Sequence, residues 1–132
     1  MRLYKLDFGW EVSFPESWIS ETDETGVYLF YPPNDTTTAY ATVFHAEKEG
    51  VPASMEVMER VFVQSLPQSI EEIPFSAGDL PCKAYFSKDD EGVFCINAGL
   101  FAEGDLLILN VYSESEAAVR NALEYFKTVS RR

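Results

Sequence analysis

Hydrophobic and polar positions alternate in the first third of the chain as they do in β-strands. The segment 10–14 reads WEVSF, in which every second residue is apolar, a pattern typical of a strand with one buried face. Three further segments, at 3–8, 27–31 and 37–46, are rich in aromatic and β-branched residues. The polar stretch 20–26 is predicted to be a loop. This part of the chain therefore predicts four strands.

The pattern changes to that of a helix after these strands. Apolar residues recur every three or four positions from Met55 to Leu66. Ser54 is a suitable cap for the N-terminus of such a helix, and Pro67 would end it. The sequence therefore predicts a first helix that begins after Ser54.

A second helix is predicted at the C-terminal end. Ser113 and Glu116 form a capping-box pattern, in which each side chain satisfies a backbone N–H of the first turn. Glu116 also lies four positions before Arg120, the spacing of an ion pair on a helix. The residues that would form its buried face are Val119, Ala122, Leu123 and Phe126.

Between the two helices the sequence predicts four more strands. They are a short strand at 73–77, the two strands of a hairpin at 82–101, and a strand at 106–112. The last of these is apolar on both faces, which is typical of a central strand that is covered on two sides.

The two cysteines fall on the predicted hairpin. A turn centred on Asp90 and Glu91 places Cys95 opposite Phe86 and leaves Cys82 four residues further along the strand pair, a separation of about 13 Å. A disulfide requires Cα atoms within about 7 Å. We therefore expect both cysteines to be free, buried thiols.

The predicted order of elements is β-β-β-β-α-β-β-β-β-α. The short connections favour antiparallel pairing, because a parallel pair needs a long crossover. The chain should form a single domain over residues 1–132, of the α+β class, with an antiparallel sheet of about seven or eight strands sandwiched by two main helices.

Charge narrows the range of partners. The chain carries 22 acidic and 10 basic residues, for a net charge of −12. No Lys or Arg occurs between Lys5 and Lys48, a stretch that contains eight of the acids. This balance argues against nucleic acids and anionic membrane surfaces. Either the acidic residues only keep the protein soluble, or they present an acidic face to a basic protein partner.

The N-terminus gives an expectation about location. The segment MRLYKLDFGW lacks the apolar run and the cleavage site of a secretory signal, and no apolar segment has the length needed to span a bilayer. We expect a cytoplasmic protein of a bacterial type of cell, without membrane insertion.

Few residues suggest a catalytic or metal-binding site. His45 is the only histidine, and it is predicted to be a partly buried structural residue because no nucleophile is placed beside it. The sequence DDEG at 89–92 is suited to a hairpin turn and lacks the spacing of a calcium loop. We expect no catalytic, cofactor-binding or metal-binding residues, and hence not an enzyme.

Trp18 is the best candidate for an interface residue. It lies in a turn beside the acidic loop that contains Glu21, Asp23 and Glu24, and tryptophan is enriched among the residues that dominate binding energy at protein interfaces. These four residues are the predicted partner-binding site.

Three segments carry a resemblance to a known family. The opening FGWEVSFPESW, the strand VYLFYPP and the middle segment IPFSAGDLPCKAYF resemble the strands and turns of PsbP/DcrB-like domains. That family includes photosystem extrinsic subunits, a Ran-binding nuclear import factor and bacterial lipoproteins of unknown role. The resemblance implies an antiparallel sheet between helices that acts by docking to partners.

We therefore expect a noncatalytic protein–protein interaction module. A narrower version is an acidic inhibitor or immunity-type protein that neutralises a basic toxin or enzyme. The alternative is a small-molecule or lipid carrier with a cavity between sheet and helix.

Overall fold

The computed structural model describes all 132 residues and contains twelve strands and two α-helices. A short 3₁₀ turn at Asp7–Gly9 follows the first strand. The elements are β1 Arg2–Lys5, β2 Trp10–Phe14, β3 Ile19–Thr22, β4 Tyr28–Tyr31, β5 Thr38–His45, β6 Glu47–Lys48, β7 Val51–Pro52, α1 Met55–Gln64, β8 Glu71–Ile73, β9 Cys82–Lys88, β10 Phe94–Ala102, β11 Asp105–Ser113, α2 Glu116–Phe126 and β12 Ser130–Arg131.

The strands form one large sheet and two small ones. The main sheet has seven strands in the order β3-β4-β5-β11-β10-β9-β8, and every neighbouring pair is antiparallel. Strands β1, β2 and β12 form a three-stranded sheet, and β6 pairs with β7. The prediction of a mostly antiparallel α+β fold is confirmed.

The larger core lies on one face of the main sheet, beneath α2 and the three-stranded sheet. Trp10, Val12 and Phe14 of β2 are fully buried there, as their alternation predicts. The ring of Phe14 stacks on Phe30 of β4, with centroids 4.3 Å apart, and meets Phe126 of α2 edge-on at 6.5 Å. Aromatic packing thus joins the small sheet, the main sheet and α2.

Helix α1 lies on the opposite face of the main sheet. Met58 and Phe62 of α1 pack on Phe101, Leu106 and Ile108 in a second, smaller core. The ring of Phe62 occupies the space above Gly99, where an added Cβ would lie within 2.7 Å of it. The sheet is therefore sandwiched by the two helices, but α1 covers only one end of its face.

The first predicted cap is confirmed and the second is wrong. The side chain of Ser54 accepts a hydrogen bond from the backbone N–H of Val57. In α2 the cap is Ser115, not Ser113, because β11 continues through Ser113 and its hydroxyl interacts with Thr37 at 2.9 Å. The capping box with Glu116 therefore does not form.

The rest of the second helix is as predicted. Val119, Ala122, Leu123 and Phe126 are its buried residues. Arg120 pairs with Glu116 at 3.0 Å, as expected from their spacing.

The predicted register of the β9–β10 hairpin is wrong by one residue. The loop holds one residue more than a two-residue turn, and Gly92 takes the left-handed conformation, with φ +84°. Asp89 accepts hydrogen bonds from the backbone N–H groups of Glu91 and Val93 and holds this loop in place. Cys95 therefore pairs with Ser87 rather than Phe86.

Three other predicted boundaries need correction. The loop expected at 20–26 begins as strand β3, which the pattern misses because all four of its residues are exposed. The strand expected at 73–77 is instead Glu71–Ile73. The first strand ends at Lys5, since the 3₁₀ turn follows with Phe8 at φ 57°.

Candidate functional site

The four predicted interface residues lie at one edge of the main sheet. Ile19–Thr22 is the outermost strand, so one side of its backbone has no neighbouring strand. Glu21 belongs to this strand, and Asp23 and Glu24 follow it in the loop to β4. We call β3 together with the loop 23–27 the acidic edge.

Trp18 precedes the acidic edge, but its ring packs inward. It stacks on Phe14 at 5.3 Å and meets Tyr125 of α2 edge-on at 5.4 Å. The residue is half-buried and contacts the larger core. The geometry gives Trp18 a part in core packing, with only its remaining surface open to a partner.

The acids of the edge differ in what they do. Asp23 accepts hydrogen bonds from the backbone N–H groups of Thr25 and Val27 and from the Thr25 hydroxyl. The bond from the Thr25 hydroxyl is the main reason that the pKa of Asp23 is lowered. Asp23 therefore shapes the loop. Glu21 accepts a hydrogen bond of 2.8 Å from the hydroxyl of Tyr31, and Glu24 is exposed.

Three strands of the base-free part of the chain lie side by side at this edge. Strands β3, β4 and β5 all come from the stretch between Lys5 and Lys48, and they are consecutive neighbours in the sheet. Asp7 of the 3₁₀ turn accepts a hydrogen bond of 3.1 Å from the hydroxyl of Tyr28 on β4. The carboxylates on this side of the sheet are Glu21 of β3 with Asp23 and Glu24 of the following loop, and the neighbouring strands β4 and β5 contain no Lys or Arg.

The face that α1 leaves uncovered is polar. A row of cross-strand partners on β5, β11, β10 and β9, Tyr40, Asn110, Asn97 and Tyr85, crosses this side of the sheet and reaches α1 at Tyr85, whose ring lies 6.1 Å from that of Phe62. Tyr40 and Tyr112 meet edge-on at 5.8 Å on this face. They line an open groove of about 580 Å³.

A second depression lies where α1 ends. It has a volume of about 310 Å³, with residues 65–67 on the helix side. On the sheet side it is lined by Ser87, Cys95, Asn97 and Tyr112. We call it the helix-end cleft; it lies between sheet and helix.

The thiol of Cys95 and the phenol of Tyr112 in the helix-end cleft are neutral at physiological pH. Burial raises the pKa of the Cys95 thiol to about 11. Burial and the adjacent Cys95 raise the pKa of Tyr112 to about 12. Because the thiolate is the reactive form of cysteine, Cys95 is a weak nucleophile in this setting.

Asn97 is the most unusual polar residue of the cleft. Only 6% of its surface is exposed. Its Oδ1 accepts a short hydrogen bond from Nδ2 of Asn110, whereas its own Nδ2 is buried without a hydrogen-bond partner.

His45 lies in a charged cluster at the start of β11. Its Nδ1 is 2.7 Å from Oδ1 of Asp105, a residue that is 2% exposed and also pairs with Arg131 of β12. The hydrogen bond to Asp105 is the main cause of a raised pKa for His45. Phe8 stacks on the imidazole ring at 4.3 Å, and Glu47 lies 3.5 Å from Nε2. His45 is thus an ion-pairing residue whose side chain remains about one-third exposed, at 32%.

Sequence reasoning found neither Asp105 nor Asn97. Asp105 is the direct cross-strand partner of His45, and Asn97 that of Asn110. Both pairs depend on strand register, which a single sequence does not specify. The one feature of the sequence that could have identified Asn97 is its position as a polar residue inside the apolar run 94–102.

Comparisons with known proteins give the fold alone. No protein-family model and no curated protein matches the chain. A crystal structure of a protein from Bacteroides thetaiotaomicron VPI-5482 is similar, with a TM-score of 0.67 and 14% sequence identity over 94% of this chain. The chain spans 45% of the length of that protein. In addition, none of the helices has the length and apolarity needed to cross a membrane.

Proposed function

We propose that this protein is a noncatalytic binding domain that docks a basic protein partner at the acidic edge. The observation that carries the proposal is the cluster of Glu21, Asp23 and Glu24 at a side of the sheet where β3, β4 and β5 contain no Lys or Arg. Clustered charge of one sign speeds the encounter with a partner of opposite sign.

The open backbone of β3 supports the same proposal. An edge strand offers unpaired N–H and C=O groups, to which an extended segment of a partner can add as a further strand. Lys or Arg side chains of that segment would reach Glu21 and Glu24, which lie on β3 and in the following loop. An inhibitor or immunity-type role is the narrower form of this function, since such proteins neutralise basic targets.

The state of the candidate catalytic groups also favours binding over chemistry. Cys95 is a buried neutral thiol. His45 is held by Asp105 on one side and faces the Glu47 carboxylate on the other, so its ring nitrogens are directed at carboxylates. A general base must reach a proton of the substrate or of a nucleophile. The ring nitrogens of His45 face carboxylates instead, which supports a binding role over a catalytic one.

We further propose that the domain is PsbP-like. The support is the sequence resemblance of its strands and turns together with an antiparallel sheet between two helices. Docking to protein partners is the role that this resemblance implies.

The docking proposal is tested by charge-neutral variants at the acidic edge. Partners are first isolated by affinity capture at low salt, and their association rates are then measured by stopped flow. We expect Glu21→Gln with Glu24→Gln to slow association on the order of 10-fold at low salt, and less at high salt, because screening shortens the reach of these charges. Asp23 is left unchanged, since it shapes the loop.

A matched control removes the same charge elsewhere. Asp90→Asn with Glu91→Gln alters two exposed acids in the β9–β10 loop, which joins strands near the far side of the main sheet. We expect this control to associate at nearly the wild-type rate. Equal rates for both double variants and the wild type would mean that the acidic edge serves only solubility.

A further inference from the structure

We propose that the open groove on the uncovered face of the main sheet binds an arginine side chain of the basic partner. The arginine belongs to the same partner that docks at the acidic edge, so this site rests on the proposed function. It adds the identity of the side chain that is recognised and the place where it binds. We call the site the tyrosine groove; its lining consists of Val27, Thr38, Tyr40, Thr42, Asn110 and Tyr112.

The acidic edge and the tyrosine groove share one face of the main sheet. Directly opposed residues of neighbouring strands point to the same face. Glu21 is opposed by Leu29, and Leu29 by Tyr40. Tyr40 is in turn opposed by Asn110 of the groove. A single strand therefore separates Glu21 from Tyr40, with about 10 Å between their Cα atoms, so one segment of a partner can contact both.

The carboxylate of Glu21 is directed toward this face. Its Oε1 accepts a hydrogen bond of 2.8 Å from the hydroxyl of Tyr31. Because Tyr31 belongs to β4, the bond draws the carboxylate inward from β3, in the direction of the groove. Glu21 has no ion pair within the chain, so its negative charge is available to a cation that approaches the face.

Two aromatic rings in the groove favour arginine as that cation. Tyr40 and Tyr112 meet at an angle of 75°, and the side chain of Tyr112 is 40% exposed. The face of an aromatic ring attracts a cation, and the flat guanidinium group of arginine stacks on it better than an ammonium group does. The hydroxyls of Thr38 and Thr42 line the same groove and can accept hydrogen bonds from the guanidinium N–H groups.

The chain makes such contacts elsewhere with its own cations. Arg120 lies over the ring of Phe86, with its Cζ 4.5 Å from the ring centroid. None of the cation–aromatic contacts of the chain includes Tyr40 or Tyr112, and no Lys or Arg lines the groove. These two rings are therefore open to a cation from a partner, and the negative charge of Glu21 on the same face complements it.

The probes for this site are three peptides that differ in one kind of side chain. Each has the sequence acetyl-Thr-X-Thr-X-Thr-amide, in which X is arginine, lysine or citrulline. Lysine keeps the charge but lacks the flat group, whereas citrulline keeps the shape of arginine without its charge. Each peptide is titrated into the full-length protein at low salt, and binding is followed by NMR.

We expect the arginine peptide to bind with a dissociation constant on the order of 1 mM and to shift signals of residues 38–42 and 110–112. The lysine peptide should bind about 3-fold more weakly, because it stacks less well on the tyrosines. The citrulline peptide should bind at least about 10-fold more weakly, because it lacks the charge. Equal affinities for arginine and lysine, or unchanged signals at 38–42 and 110–112, would overturn the proposal.

Substitutions of Tyr112 test the aromatic contact directly. Tyr112→Leu removes the ring and should abolish the preference for arginine over lysine, whereas Tyr112→Phe keeps the ring and should retain it. Phe8→Leu is the matched control, because it removes an exposed ring that stacks on His45 on the other side of the main sheet. A preference that survives Tyr112→Leu would contradict the site. If that variant does not fold, the three peptides on the wild-type protein decide the matter.

Failure of this site and failure of docking at the acidic edge give different results. Glu21→Gln should weaken the arginine and lysine peptides alike, since both depend on its charge. If it does so but arginine is not preferred, the tyrosine groove is wrong and the acidic edge stands. If the preference depends on Tyr112 while Glu21→Gln with Glu24→Gln leaves the association rate of the partner unchanged, the groove stands and docking at the acidic edge is wrong.

Discussion

His45 and Asp105 show how much of this molecule depends on single cross-strand contacts. The carboxylate of Asp105 is almost fully buried, yet it serves both His45 on β5 and Arg131 on β12. These ion pairs attach the C-terminal strand to the main sheet. The sequence predicted a structural histidine but not its partner, because the two residues are 60 positions apart and meet only through strand pairing.

The pKa of His45 leads to an expectation about pH. Because the folded state raises this pKa, chiefly through the hydrogen bond to Asp105, the protonated form stabilises the folded protein. This contribution is fully present below about pH 6.5, the ordinary value for histidine, and is lost as the pH rises through the higher folded value. We expect Tm to fall between about pH 6 and pH 8.

Thermal unfolding of a His45→Gln variant provides the control. His45 is the only histidine, so the variant should lose most of the pH dependence in that window. A wild-type Tm that is flat from about pH 6 to pH 8 would contradict the ion pair with Asp105.

Gly99 gives a second expectation at the residue scale. An added Cβ would lie 2.7 Å from the ring of Phe62, which is itself fully buried. Gly99→Ala should therefore lower the free energy of unfolding by about 1–3 kcal/mol. Combining it with Phe62→Leu, which makes room, should cost less than the sum of the two single changes.

Chemical denaturation of the two single variants and the double variant measures this coupling. Additive losses would mean that Phe62 does not seat on Gly99. In that case α1 would not be anchored at the end of the sheet where the structure places it.

At the scale of elements, the periodic pattern predicts the strand and helices that have a buried face, and it misses the fully exposed strand β3. Strand β2 and both helices carry a clear apolar face, and they were found. Strand β3 has no buried residue, so its pattern resembles a loop. The hairpin register failed for a different reason, since Gly92 adds a residue to the turn and a shift by one moves every side chain to the other face.

That shift is what conceals the helix-end cleft from the sequence. With the predicted register, Cys95 lies opposite Phe86 and the site appears apolar. With the observed register, Cys95 lies opposite Ser87, and the neighbouring Asn97 lies opposite Asn110 and Tyr85. The polar character of the cleft therefore depends on the registers of two hairpins, β9–β10 and β10–β11.

Helix α2 should contribute strongly to stability. Leu123 lies on its buried face against the larger core. We expect Leu123→Ala to cost about 2–5 kcal/mol, from lost burial and the cavity that remains. Val63→Ala is a suitable control, because Val63 is a helical residue that is 48% exposed, and it should change the free energy by less than about 0.5 kcal/mol. Equal urea midpoints for wild type and Leu123→Ala would show that α2 is not packed as described.

At the scale of the whole molecule, charge is organised by the fold. Composition alone gives a net charge of −12 but not its location. Strand order places β3, β4 and β5 of the base-free stretch at one side of the main sheet, whereas the C-terminal Arg131 and Arg132 are paired with Asp105 and Glu11. These arginines therefore do not neutralise the acidic edge. The helix-end cleft is separate from the acidic edge, since it is formed by residues 65–67 after α1, by the β9–β10 loop and by the strands β9, β10 and β11.

The most direct test of the docking proposal is a hydrogen-exchange map of the protein, alone and with its captured partner. The outward backbone of β3 has no neighbouring strand, so its amides should exchange quickly in the free protein. We expect partner binding to slow exchange at residues 19–22 and in the loop 23–27. Protection confined to other regions, such as the loop 89–93, with unchanged exchange in β3, would contradict docking at the acidic edge.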